Sequence, residues 1–147
     1  MAVVTVIMPA SVNGATTMSI EAINPTTAKT TYDQFHFSQA MRAGKLLVCS
    51  GQLGIGPDGR PSADLTEEFR AAWRAVGSVL QAAGLNFSDI LEYTTFHVGL
   101  QATLPTFMKV RDEFLAEPWP AWTAIGITEL AVPGAHVEIR VTARHKK

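Results

Sequence analysis

A chain of 147 residues is the length of one domain and can bury about two-thirds of the surface its unfolded form exposes. Apolar residues make up 47% and charged ones 17%, which excludes an intrinsically disordered chain and points to more buried surface than a lone monomer requires, hence to self-association. A formal charge of −1 and a pI near 6.4 exclude a broad nucleic-acid footprint, because phosphate binding draws on clustered Lys and Arg; the basic run Arg144-His145-Lys146-Lys147 reads as a solvated tail.

The lone cysteine, Cys49, excludes an internal disulfide framework and a multi-cysteine zinc site; it reads as a small buried hydrophobe, and a reducing, cytoplasmic setting is expected. The apolar runs fall far short of the roughly 18 residues that would argue for a membrane span. Met1 to Thr17 carries no Lys or Arg ahead of its short apolar run, so it lacks the charged start of a signal peptide. Residues 1–19 are expected to form a poorly structured extension, and 20–147 a single domain.

Ile20 to Asn24 reads as a short strand ending at Pro25, and the Thr-rich stretch through Thr31 as loop. Phe35 to Arg42 reads as a strand with Ala43-Gly44 as its turn. Leu46-Leu47-Val48-Cys49-Ser50 follows as a strand too continuously apolar to have one face in water, and so central in its sheet. The glycine-rich run Gly51 to Pro61 has neither the Gly-Lys-Ser/Thr ending of a phosphate loop nor dinucleotide spacing, so it reads as an irregular turn reversed at Asp58-Gly59.

Asp64, three residues before Glu67, has the spacing of an N-cap with a reciprocal partner. Leu65, Phe69, Ala72, Trp73, Val76, Leu80 and Ala83 then recur at three- and four-residue steps, predicting a helix of about five turns closed at Gly84 with Trp73 in the core. Ser88-Asp89 turns into a strand over Ile90 to Val98, where His97 reads as a hydrogen-bonded structural residue. A second helix is expected from about Thr103, with Pro105 in its first turn, ending before Pro118.

The last quarter has two strand-like arms, Pro120 to Ile127 and Ala135 to Arg144, around the turn signal Val132-Pro133-Gly134, and they are expected to pair as a hairpin. Alternation puts Val137, Ile139, Val141 and Ala143 on a core face and Glu138, Arg140 and Thr142 on the other. The second set fits a plain outer strand or one side of a site. Two helices cover one face of such a sheet, so its other face must meet water or another subunit, and clefts between subunits are good places for ligands. On neighbouring hairpin arms, Trp122 would lie beside Glu138. His36, His97, His136 and His145 show no metal-ligand spacing, and His136 with Glu138 makes an incomplete set, so no metal is expected.

The segments Phe37-Ser38-Gln39-Ala40, Val48-Cys49-Ser50-Gly51-Gln52, Leu80-Gln81-Ala82-Ala83-Gly84-Leu85, Asp89-Ile90, Pro120-Ala121 and Val137-Glu138-Ile139 resemble, in order and spacing, the RidA/YjgF family, also labelled endoribonuclease L-PSP. The likeness covers about Phe35 to Arg144. It implies a chorismate-mutase-like α+β fold with a single sheet and two helices on one face, a homotrimer with its sheets turned inward, and intersubunit clefts that hydrolyse enamines and imines without a cofactor. It places the family's strand-end glycine on Gly51, its cleft aromatic on Phe37 and its water-handling glutamate on Glu138. The signature arginine that grips a substrate carboxylate falls on Trp122, which places the chain in a branch lacking that arginine. An indole offers one N–H and an apolar face where a guanidinium offers a bidentate fork, and each charge-assisted hydrogen bond lost costs about 1.5–3 kcal/mol. Phe37 also lacks the phenolic hydroxyl often found at its position.

The expected site is therefore a hydrolytic deaminase acting on a relatively apolar imine or enamine. Glu138 would activate water, backbone N–H groups near Gly51 and Ala124 would bind the developing anion, and Trp122 would line the pocket. Arg140 stands either in that cleft or in an intersubunit ion pair. Two other readings stand beside it: a non-catalytic trimeric binding protein, and a ribonuclease or translation inhibitor that rests on the family label alone. The expected partners are a small molecule and further copies of the chain.

Overall fold

The computed structural model describes residues 18–146 and the backbone of Thr5–Val6. Thr5–Val6 forms a two-residue strand, β1, so this part of the expected unstructured extension is paired; the rest of that expectation lies outside the described residues.

Ten further elements follow: β2 (Ile20–Ile23), α1 (Lys29–Phe35), β3 (Ala40–Ala43), β4 (Leu46–Cys49), β5 (Gln52–Leu53), α2 (Leu65–Ala82), β6 (Ile90–Val98), α3 (Leu100–Arg111), β7 (Ala121–Ile127) and β8 (Val137–Arg144). The sheet runs β1-β2-β3-β4-β8-β6-β7, with β5 also paired to β8. It is mixed: β6 and β7 are parallel and the other pairs antiparallel. The fold is thus α+β with three helices, and no described helix is long and apolar enough to cross a membrane.

The expected hairpin of the last two strands does not form, because β6 lies between them and pairs with both. The crossover through α3 returns the chain alongside β6 in the same direction, as a strand–helix–strand connection does. β8 then enters on the other side of β6, against β4. The Pro133-Gly134 turn belongs to a longer loop rather than to a tight reversal.

Other boundaries moved for local reasons. The Thr-rich stretch read as loop passes through a 3₁₀ turn at Thr26–Ala28 into α1, which buries no residue and so gave no apolar periodicity; a Lys29–Asp33 pair one turn apart supports it. The strand expected from Phe35 starts only at Ala40, after His36 closes α1 in the left-handed conformation. α3 begins at Leu100 rather than Thr103, because Gly99, with φ of 69°, turns the chain straight out of β6; Pro105 consequently lies inside the helix.

α2 is the helix its periodicity predicts. Asp64 accepts from the N–H groups of Thr66 and Glu67, while Glu67 pairs with Arg70 and Arg74 instead of returning a bond to the cap. Trp73 is fully buried among the rings of Phe87, Tyr93, Phe107 and Phe114, so α2 and α3 share one aromatic core over the sheet. Val137, Ile139, Val141 and Ala143 lie under them. Burial pushes the Cys49 thiol up to about 12, in keeping with a small hydrophobe. β4 is central, as expected, but buries only alternate residues within one chain: Leu47 and Cys49 face the helices, and Leu46 and Val48 do not. With Ile20, Met41 and Ile125, these two stay 38–46% exposed, leaving an apolar sheet face uncovered.

Candidate functional site

Glu138 sits between Val137 and Ile139, both fully buried, so alternation turns its side chain to the uncovered face. It pairs in register with Phe96 of β6 on one side and Leu53 of β5 on the other, and Phe96 in turn with Ile125 of β7. The carboxylate lies over the backbone of Gly51: a Cβ added there would fall within the Glu138 side chain. Among the described residues the Glu138 carboxylate has no hydrogen-bond or ion-pair partner, and burial pushes its pKa above the usual carboxylate range. The result is an unpaired, partly desolvated acid in an apolar setting.

Gly51 and Glu138 are thus brought together as expected. The stretch carrying Phe37 runs alongside: Ser50 donates its N–H to Gln39 and its hydroxyl to the Ser38 carbonyl, and the Gln52 amide donates to Gln39. Arg140 shares the face of Glu138 and is exposed.

Trp122 does not join them. It pairs with Tyr93 of β6, three residues from Phe96 and therefore on the opposite face from Glu138. Its indole stacks on Tyr93 with centroids 5.6 Å apart and planes at 9°, contacts Phe107, and donates Nε1–H to Thr95 Oγ1 at 2.9 Å. The adjacency of Trp122 and Glu138 on neighbouring hairpin arms therefore fails within a subunit, because that hairpin does not form. Ala124 is on β7 too, two strand spacings, or roughly 10 Å, from β8.

Three arrangements had no readable signal. The Arg111 guanidinium lies 5.1 Å from the Trp122 ring centre and is paired with Asp112, which puts a cation against the indole. Leu53 and Phe96 flank Glu138 only through long-range register. Glu68 of α2, fully buried, accepts from the backbone N–H and the imidazole Nδ1 of His136. His136, just ahead of β8, is thereby turned to Glu68 of α2. His97 is buried as a structural residue, its Nε2 bonded to Thr95 Oγ1 at 2.8 Å. Among the described residues no group of three His, Cys, Asp or Glu is placed to hold a metal ion.

With this geometry in hand, comparison with known proteins gives a consistent result. Residues 27–145 match the Endoribonuclease L-PSP family. The chain belongs to that family, the RidA/YjgF proteins. It is 40% identical over 124 residues to the RutC family protein YjgH of Escherichia coli, covering 84% of this chain and 93% of that one. The solved structure of protein YjgH superposes with a TM-score of 0.77 at 38% identity, over 86% of this chain and 96% of that one. More distant RidA/YjgF relatives include the 2-iminobutanoate/2-iminopropanoate deaminase of Capra hircus, 30% identical over 112 residues, 73% of this chain and 78% of the relative. Escherichia coli TdcF, solved with bound serine, matches with a TM-score of 0.64 at 25% identity over 75% of this chain and 88% of its own.

Proposed function

We propose that this RidA/YjgF protein is a cofactor-free hydrolytic deaminase whose sites lie in clefts between three copies of the chain. The observation that carries the reading is the Glu138 carboxylate, half-buried, unpaired among the described residues and held over Gly51 on the uncovered apolar face. A raised pKa suits an acid that must both take and return a proton. Glu138 takes a proton from water as the oxygen attacks the C=N carbon and passes it to the nitrogen, giving an amino alcohol. It then takes the proton of the new hydroxyl and passes that to the nitrogen too, as the C–N bond breaks to leave a carbonyl compound and ammonia. Backbone N–H groups near Gly51 hold the developing negative charge; those near Ala124 serve only if the edge strand of a neighbouring copy supplies them. The relatives named as iminobutanoate deaminases support this reaction type, and Phe37, Leu53, Phe96 and Ile125 favour an apolar substrate. Arg140 stands at the rim, in the cleft or in a pair between subunits.

The test is ammonia release from a panel of aliphatic and aromatic imines by the wild type and Glu138→Gln, with light scattering for the oligomer. Unchanged turnover in the variant, or a monomer with full activity, removes the reading. One observation favours a non-catalytic binding protein instead: Trp122 is committed to Thr95 and Tyr93, so its position offers no anchor for a substrate carboxylate. Saturable binding without ammonia release would decide for that alternative.

A further inference from the structure

A cavity of about 560 Å³ lies between α1, β2 and the end of α2, within the roughly 300–1,000 Å³ range of small-molecule pockets. It is separate from the Glu138 face. Glu21 pairs in register with Arg42, Arg42 with Leu47, and Leu47 with Ala143, and the last two are fully buried under the helices. The cavity therefore opens on the helix side of the sheet.

Its charges are unevenly committed. Each carboxylate has a cation: Arg42 binds Glu21 at 3.2 Å, and Lys29 binds Asp33. The carbonyls closing α2 are also taken: Arg42 donates to Ala83 at 2.6 Å, Gly84 N–H to Gln81 and Leu85 N–H to Leu80. Donors remain. A guanidinium has five N–H groups; Arg42 uses one on each terminal nitrogen and its Nε–H is buried, which leaves one N–H on each terminal nitrogen of a side chain 26% exposed. The Asn24 carbonyl accepts from Gln39 N–H, and its NH₂ and the Tyr32 hydroxyl have no acceptor among the described residues. Ile23, Pro25, Ala82 and the Tyr32 ring supply apolar wall.

We propose that this cavity is a second ligand site, for a small monocarboxylic acid with a compact aromatic or branched body. The carboxylate takes the unused N–H groups of Arg42 and the body lies against Ile23 and Ala82. A carboxylate accepts a bidentate pair from a guanidinium, whereas an amine of the same shape meets carboxylates whose charge Arg42 and Lys29 already balance. The inference does not depend on the deaminase reading.

Phenylacetate is the probe, with phenethylamine as its cationic counterpart, titrated into the full chain while backbone amide shifts are followed by NMR. Phenylacetate should give saturable shifts over Ala22 to Thr26 and Ala82 to Gly84, and phenethylamine none. Arg42→Gln should weaken binding about tenfold or more, as loss of a charge-assisted pair does. Because that change also uncaps α2, Ala82→Leu serves as a second variant: it fills the cavity from the helix and should abolish binding without lowering the melting temperature. Shifts centred on Gly51 and Glu138, equal binding of the amine, undiminished binding by Ala82→Leu, or no saturable shift would each overturn the proposal.

Discussion

Gly51 leaves open the space that the Glu138 side chain fills, since a single methyl at 51 would fall within that side chain. Gly51 is not in the left-handed region, so alanine suits its backbone, and the flexible carboxylate end is what must move. Gly51→Ala should therefore fold with a stability loss of about 1 kcal/mol. Imine hydrolysis should drop by about tenfold to a hundredfold, as displacement of a reacting group by an ångström does. Parallel measurement of melting temperature and ammonia release separates the two effects.

Glu138→Gln removes a charge that burial disfavours. A carboxyl whose folded pKa lies above its unfolded value binds more protons in the native state, so it lowers stability as pH rises through that window. The glutamine variant should be more stable than wild type at neutral pH, by less than about 1 kcal/mol, and no more stable in acid. Denaturant melts at both pH values, with hydrolysis abolished in the same samples, check this.

His97 has the opposite linkage. Burial lowers its pKa from 6.5 to about 4, so the unfolded chain takes up a proton that the native one refuses between these values. Stability is fully present above the unfolded pKa and falls as acid is added, by about 3 kcal/mol for this group. His97→Gln should flatten that slope in a series of denaturant melts.

Trp122 is anchored by one hydrogen bond and by stacking, which substitutions separate. Trp122→Phe keeps an aromatic against Tyr93 and loses the Thr95 bond, for about 1 kcal/mol; Trp122→Ala should cost about 3–5 kcal/mol. Equal stability of the two variants in thermal or denaturant melts would contradict this packing role.

The exposed Val48 sits in the middle of the uncovered face, in register with Met41 and Thr142. Val48→Glu should leave circular dichroism unchanged and, on the proposed trimeric assembly, give a monomer by light scattering, since a charge placed against an apolar partner surface is left unpaired.

The amphipathic segments were legible because their cause is local. Phe69, Trp73, Val76 and Leu80 follow the helical repeat, Val137 to Ala143 the period of two, and Asp64 announces the helix it caps. Glu138 and Gly51 were found through motifs whose spacing the fold brings together. What stayed hidden depends on which strands become neighbours. Trp122 would lie beside Glu138 only on neighbouring hairpin arms, which Pro133-Gly134 suggests, and nothing between Pro120 and Arg144 reveals that β6 enters from upstream. α1 was hidden for a different reason: a helix without a buried face leaves no pattern.

The position of β8 has a consequence for how the molecule is made. The last strand synthesised is the one that joins β1 to β4 on one side with β6 and β7 on the other, and β5 also pairs with it. Until β8 is in place, the chain holds two half-sheets with no ladder between them, so the halves close only when Val137–Arg144 pairs with both. Loss of β8 would thus part the sheet into two separate pieces.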